Sequence, residues 1–371
     1  MPSMQLRPDD VVVGVDTHKD QHVAVLLDGL GGRLAEFHLP ATAAGFAELL
    51  TFALACVGPQ GRLQAFGVEG TGSYGIGLAR FLRRHGHTVQ EVHRPPRNGE
   101  RRLSGKSDTI DAEHAARQVL AGRSTAVPKT ADGAIESLRL LKTARDTAMK
   151  ARTTSMIALK ATLVTASVEL RAELEPLTDH KLIEACAALP STGWLAAPDA
   201  AMSHVLGSLA RRWLQLHEEI KVHSKHLKML TKTIAPRLVE AVGVGLDIAA
   251  EMLVTAGDNT ERIRSEAAFA KMCGACPIPA GSGKTNGRHR LNRGGNRQAN
   301  AALYRAVIVR LCWHQPTIDY TARRTAEGLS KREIIRCLKR YLAREIYHLL
   351  PPVDLASSTH PAPVANAASR S

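Results

Sequence analysis

The chain has 371 residues, 44% of them hydrophobic, which is enough to fill cores in two or three domains and excludes a disordered polymer. Its 49 lysines and arginines against 35 aspartates and glutamates leave a formal charge of +14, which favours a polyanionic partner such as nucleic acid over an acidic small molecule. There is no uninterrupted apolar span of helical length and no signal peptide ahead of the first strand, and six scattered cysteines form no extracellular framework, so a cytoplasmic protein without a membrane partner is expected.

The N-terminal third reads as mixed α/β. VVVGVD at 11–16, HVAVLLDG and GGRLAEFHL are three consecutive strands joined by tight polar or glycine-containing turns. A helix at 43–56, the strand LQAFGVEG, the helix GIGLARFLRRHG and the strand TVQEVH follow.

From residue 135 to 174 the proline-free run IESLRLL through VELRAEL predicts one long helix. A second helix carries Leu209, Trp213, Leu216, Ile220, His223, Leu227, Leu230 and Ile234 at alternating steps of four and three, the spacing of a coiled-coil seam. That seam fits either an intramolecular hairpin or a contact between protomers.

Beyond Pro236, LVEAVGVGLDIAAEMLV places Val-Gly-Val-Gly between two apolar helical segments, a turn like that of helix-hairpin-helix elements, whose backbone can approach a phosphate. No acidic residue lies between Glu266 and Asp319, where Lys271, Lys284, Arg288, Arg290, Arg293, Arg297, Arg305 and Arg310 all fall. Ordinary surfaces mix their signs, so this run points to a nucleic-acid backbone. Cys273 and Cys276 form one CxxC pair, a weak metal signal without a second pair. The final segment, 351–371, has the composition of a disordered tail.

Four acids stand out. Asp16 closes the first strand, and Glu69 closes LQAFGVE ahead of GTGSYG. Asp108 and Asp111 lie one helical turn apart in GKSDTIDAEHAAR, with Ser107 placed to cap the helix. Gathered at one sheet edge, such carboxylates repel unless a cation sits between them. They suit two Mg²⁺ or Mn²⁺ ions about 4 Å apart and cleavage or transfer of a phosphodiester. Each also has a local reading as a turn or helix cap. GTGSYG satisfies the bare dinucleotide fingerprint with Glu91 as the ribose acid, but it follows a late strand of the domain instead of the first.

The stretch AGSGKT imitates a P-loop. Yet Ile278 stands where the first glycine of that loop belongs, and Pro277 and Pro279 precede it, which disfavours a buried strand.

VVVGVDTHKDQHVAVL, FGVEGTGSYG and GKSDTIDAEHAAR together resemble the N-terminal DEDD domain of bridge-RNA-guided insertion-sequence transposases, whose fold is similar to the RuvC resolvase and RNase H. The segment from VEAVGVGLDIAAEMLVTAG to FAKMCGACPIPAGSGKTNGRHRLNRGGNRQANAALYRA resembles their C-terminal domain. The resemblance implies an α/β RNase H-like domain over 8–125, a helical coiled-coil region over 129–235 and a mostly α C-terminal domain over 236–350. It implies a DNA transposase that cleaves and rejoins phosphodiesters with Mg²⁺ held by Asp16, Glu69, Asp108 and Asp111, and with Ser282 as nucleophile. The alternative is a metal-dependent junction resolvase or nuclease in which water attacks. The implied partners are donor and target DNA and a bridge RNA, with Lys284, Arg288, Arg290, Arg293 and Arg297 on phosphates, and homodimers pairing into a tetramer. His18, His93 and His289 are left outside the catalytic set as histidines near turns.

Overall fold

A computed structural model describes residues 6–93, 107–190, 197–281, 283, 289–292 and 294–351, in two compact units, Met1–Thr130 and Ala131–Ser371. In the first, β1 (Val11–Thr17), β2 (Gln21–Asp28), β3 (Arg33–Pro40), β4 (Leu63–Glu69) and β5 (Val89–Val92) form one sheet in the order β3-β2-β1-β4-β5. Pairs β1/β2 and β2/β3 are antiparallel, whereas β1/β4 and β4/β5 are parallel. A three-strand meander followed by two parallel strands reached through helices is the RNase H-like arrangement expected from the sequence.

The central strand β1 is buried along its whole length because both faces of the sheet are covered. On one face Val13, Val15, Phe66 and Val68 pack with α1 (Ala43–Ala55) and α2 (Ile76–Arg84). On the other, Val12, Val25 and Ala65 meet Ala112, Ala115, Ala116 and Val119 of α3 (Asp108–Leu120). Alternating side chains thus divide between two cores. Gly14 and Gly67 let α3 lie close: a Cβ on Gly14 would stand 2.1 Å from the carbonyl oxygen of Ala112, and one on Gly67 2.6 Å from Cγ2 of Val119.

The second unit is helical. The segment read as one helix is two: α4 (Ala134–Leu163) ends, and α5 (Val168–Leu174) begins after Ser167, whose side chain accepts a hydrogen bond from Leu170 N–H. A serine at the break satisfies an orphan N–H of the new helix, which continuous periodicity does not reveal. After α6 (Asp179–Ala188), α7 (Pro198–Ile234) runs for 37 residues. Leu227 and Ile234 of its heptad positions enter the same core as Leu138 of α4, and Leu206 and Ala210 share another with Leu159 and Leu163. Within the chain, the seam is therefore an intramolecular helical hairpin.

The turn after α8 (Pro236–Glu240) leads into α9 (Leu246–Ala256). Gly243 adopts φ +77°, and a Cβ there would lie 2.9 Å from the carbonyl oxygen of Ala306, so packing inside this unit already requires that glycine. A short 3₁₀ turn, Thr260–Arg262, then α10 (Glu266–Met272) and the hairpin β6 (Pro277–Pro279) with β7 (His289–Leu291) precede α11 (Arg297–Trp313), α12 (Gln315–Ala326) and α13 (Lys331–Leu349). Asn296 caps α11, its side chain accepting from Gln298 and Ala299 N–H, while Ser330 and Glu333 form a capping box on α13. No helix among the described residues is long and apolar enough to cross a membrane. The tail expectation falls on residues outside the described ones, apart from Pro351.

Candidate metal centre at the sheet edge

Strands β1 and β4 run parallel with Val15 opposite Val68, so the next residue of each, Asp16 and Glu69, closes its strand side by side. Because Val15 and Val68 belong to the core under α1 and α2, alternation sends Asp16 and Glu69 to the face covered by α3. The hydroxyl of Thr17 donates to the backbone oxygen of Glu69 at 3.0 Å and fastens the two strand ends together. Behind Glu69 the chain reverses at Gly70, φ +63°, where Ser73 N–H and Gly75 N–H both donate to the Gly70 carbonyl. A Cβ on Gly75 would meet the backbone oxygen of Glu69 at 2.6 Å, whereas one on Gly72 would meet nothing within 4 Å.

Helix α3 brings the other two acids. It crosses β1 at Gly14 through Ala112 and Ala116, so one turn earlier its N-terminus reaches the end of β1. Asp108 and Asp111 occupy that first turn, where the helix dipole favours negative charge. The expected cap is corrected in one respect: Ser107 is the N-cap residue, but its hydroxyl makes no capping bond. The turn is fixed instead from the sheet, since the Thr109 hydroxyl donates to Glu36 on β3 at 2.7 Å. That bond, with a second from His38, holds the Glu36 carboxyl below its ordinary pKa.

Between the two pairs of acids stands His18, in the β1–β2 turn. Its backbone N–H donates to Gln21 O at 3.1 Å, and its Nε2 lies 3.1 Å from Asp16 Oδ2 and 3.3 Å from Asp108 Oδ1. Asp16, Glu69 and Asp111 are all at most 9% exposed, whereas His18 and Asp108 are half exposed, so the cluster has a buried floor and an open side. Burial raises the pKa of Asp16; His18 counters it through charge and hydrogen bonding, and Asp108 and Asp111 raise it again by repulsion. The repulsion places three of the four expected acids in one electrostatic field. Sequence reasoning set His18 aside, although its position two residues beyond a strand-end aspartate was the available signal.

One donor atom from each of Asp16, His18 and Asp108 falls within 4.8 Å of the others. Two carboxylate oxygens and an imidazole nitrogen are a donor set for a divalent cation, and the mutual repulsion at Asp16 is what such a cation would relieve. The residues therefore fit a divalent metal.

The sequence comparisons agree with this geometry. Residues 13–167 match a transposase family described by its DEDD domain, and residues 235–322 match the transposase IS116/IS110/IS902 family. Together they cover well over half of the chain. The chain belongs to the IS110/IS902 family of DEDD-type transposases. A similar curated protein is the uncharacterized 43.6 kDa protein of insertion element IS110 from Streptomyces coelicolor, 28% identical over 189 residues, which are 50% of this chain and 45% of that protein. The chain thus matches less than half the length of that relative.

The serine-nucleophile expectation is corrected by these findings. The IS110-family match rests on a DEDD domain, and the convergent donors are Asp16, His18 and Asp108, a constellation for metal-assisted attack by water. Ser282, Lys284, Arg288 and Arg293 lie outside the described residues. Arg290 on β7 and Arg297 at the start of α11 are exposed. Of the CxxC pair, Cys273 is buried and its thiol is pushed up to about 12 by burial, while Cys276 Sγ accepts from Asn292 Nδ2 at 3.3 Å.

Proposed function

We propose that this chain is a metal-dependent nuclease that cuts DNA phosphodiesters with water as nucleophile, the strand-cleaving step of an IS110-family transposase. The observation that carries it is the meeting of Asp16, His18 and Asp108 at the open end of an RNase H-like sheet. Asp16, Glu69, Asp108 and Asp111 are the proposed ligands of Mg²⁺, or of Mn²⁺ in its place, and hard oxygen donors support that choice. When bound, such ions acidify water and neutralise charge on the phosphate undergoing attack.

The chain's own residues do the rest. The β1/β4 register sets Asp16 and Glu69 side by side, and the Thr109–Glu36 hydrogen bond ties the first turn of α3, which carries Asp108 and Asp111, to the sheet. Where a cation is not bound, His18 Nε2 is hydrogen-bonded to Asp16 and lies 3.3 Å from Asp108, so it positions both carboxylates instead of ligating through that nitrogen. On the open side, the turn at Gly72 leaves room for a strand to approach. The acid-free basic run that includes Arg290 and Arg297 is the proposed contact to nucleic-acid phosphates, which position a strand without reading sequence. The division into a nuclease domain over 8–125, a helical region over 129–235 and a basic C-terminal domain over 236–350 belongs to this reading. So do guidance by a bridge RNA and dimers pairing into a tetramer, which the family resemblance supports.

The deciding experiment uses a branched DNA substrate and the variant Ser282→Ala. Undiminished Mg²⁺-dependent cleavage releasing free ends, with no protein–DNA adduct on denaturing gels, is expected; loss of cleavage or a covalent adduct in the parent would overturn the water reading. A smaller effect is expected at the clamp. Thr109→Val should lower the cleavage rate about tenfold, near 1.4 kcal/mol, while the loss of one partly exposed hydrogen bond moves stability by about 1 kcal/mol. Parallel rate and melting measurements check it.

A further inference from the structure

The second unit contains a cavity of about 460 Å³ between the β6/β7 hairpin, the end of α12 and the first half of α13. Its lining includes Arg290, Arg324, Arg336, Lys339 and Arg340, and the last three share one face of α13 by their spacing of three and four. Lys339 is only 6% exposed. Its ammonium, which has three protons to donate, gives one hydrogen bond to Asn300 Oδ1 at 2.9 Å. Among the described residues the charge acting on it is another cation, Arg336, which adds to burial in holding its pKa below the ordinary lysine value.

Two of the other cations in the lining already have carboxylate partners. Arg340 pairs with Glu266 at 3.2 Å and Arg324 with Glu327. Glu333, the acid in the lining, accepts from the Ser330 backbone and hydroxyl at 3.0 and 2.6 Å. Arg324 Nε is buried with no hydrogen-bond partner among the described residues. A buried ammonium flanked by guanidinium groups and lacking a carboxylate is stabilised by an anion brought beside it.

The volume exceeds that of a lone phosphate and lies in the range of small-ligand sites. Pro277 and Leu329 contribute apolar wall. At the mouth stands Tyr341, 55% exposed and held edge to face by Tyr320 with centroids 5.5 Å apart, a surface on which a base can stack. We infer that this cavity is a nucleotide pocket, taking one phosphorylated nucleotide of a single strand with its phosphate on Lys339, Arg336 and Arg290 and its base against Tyr341. The assignment rests on the reading that the chain acts on nucleic acid, and it is separate from the acid cluster.

Cys276 and Cys337 line the same cavity and are partly exposed free thiols, whereas Cys312 is an exposed one outside the lining. Maleimide labelling of each, read by peptide mass, therefore reports occupancy. The full chain carrying Asp16→Asn, in EDTA, is labelled with and without a 5′-phosphorylated thymidine dinucleotide. At ten times the dissociation constant, labelling of Cys276 and Cys337 is expected to slow about tenfold, with Cys312 unchanged. Arg336→Ala and Lys339→Met should abolish the protection while Cys312 labelling and the melting curve show a folded chain. Equal protection by thymidine, which carries no phosphate, protection that survives both variants, or none at millimolar probe would overturn the pocket. The ribose form of the probe, run beside the deoxyribose form, shows by its lower or higher midpoint which strand the pocket takes. Because the cleavage site is disabled throughout, failure here leaves the nuclease reading standing, and failure of cleavage leaves this one.

Discussion

Asp16→Asn is expected to reduce Mg²⁺-dependent cleavage by about 10³-fold, about 4 kcal/mol of transition-state stabilisation, while the metal-free protein melts higher than the parent. The two results have one cause. Asp16 is 7% exposed, and its pKa is raised by burial and by Asp108 and Asp111 in spite of His18. A carboxyl whose folded pKa lies above its unfolded value binds its proton more tightly when folded, so metal-free stability is lost as pH rises from the unfolded value through the folded one. An amide of the same shape carries no such penalty, and a gain of roughly 2–5 °C at neutral pH is expected. Mg²⁺ should raise the melting point of the parent and leave that of the variant nearly unchanged. Calorimetry in EDTA and in Mg²⁺, beside cleavage assays, checks both halves. A variant that melts lower in EDTA would mean that Asp16 is a structural cap with no strain to relieve.

The same residues show how much of this protein could be read before folding. VVVGVD and HVAVLLDG are legible as strands because both faces of the sheet are covered, so each is a short, nearly continuous apolar run bounded by turn residues. The convergence of Asp16 with Asp108 was legible only as a possibility, since nothing local fixes the angle at which α3 crosses the sheet. That angle is set by Gly14 and Gly67, whose contribution is an absence of side chain, and by Thr109 reaching Glu36 across 73 residues. His18 was passed over for a related reason. A turn histidine has many uses, and only the hairpin that turns it back over Asp16 selects this one. The break between α4 and α5 was hidden because both flanks keep helical spacing, and the serine that divides them is as common inside a run as at its end.

Gly14→Ala should be strongly destabilising, because the added methyl has no room at the crossing of α3 over β1. Its Cβ would stand 2.1 Å from the Ala112 carbonyl oxygen, 2.2 Å from the Ala116 nitrogen and 2.9 Å from the Ala116 Cα, all backbone of α3. No rotamer change relieves such a contact, so the helix must move off the sheet, opening the core of Val12, Ala65 and Ala115. A loss of about 3 kcal/mol is expected, at the upper end for overpacked cores, read from urea unfolding. Gly67→Ala meets a side-chain methyl, Cγ2 of Val119 at 2.6 Å, which can turn aside, and a single backbone atom of α3, the Ala115 oxygen at 2.9 Å, and should be destabilised by about half as much. Gly72→Ala, with nothing within 4 Å, should stay within about 0.5 kcal/mol of the parent. Cleavage should follow the same ranking but fall further than stability alone dictates, because α3 carries Asp108 and Asp111 and any shift of the helix widens their distance from Asp16. If Gly14→Ala unfolded normally and still cut at the parental rate, the close crossing would not be what assembles the metal centre.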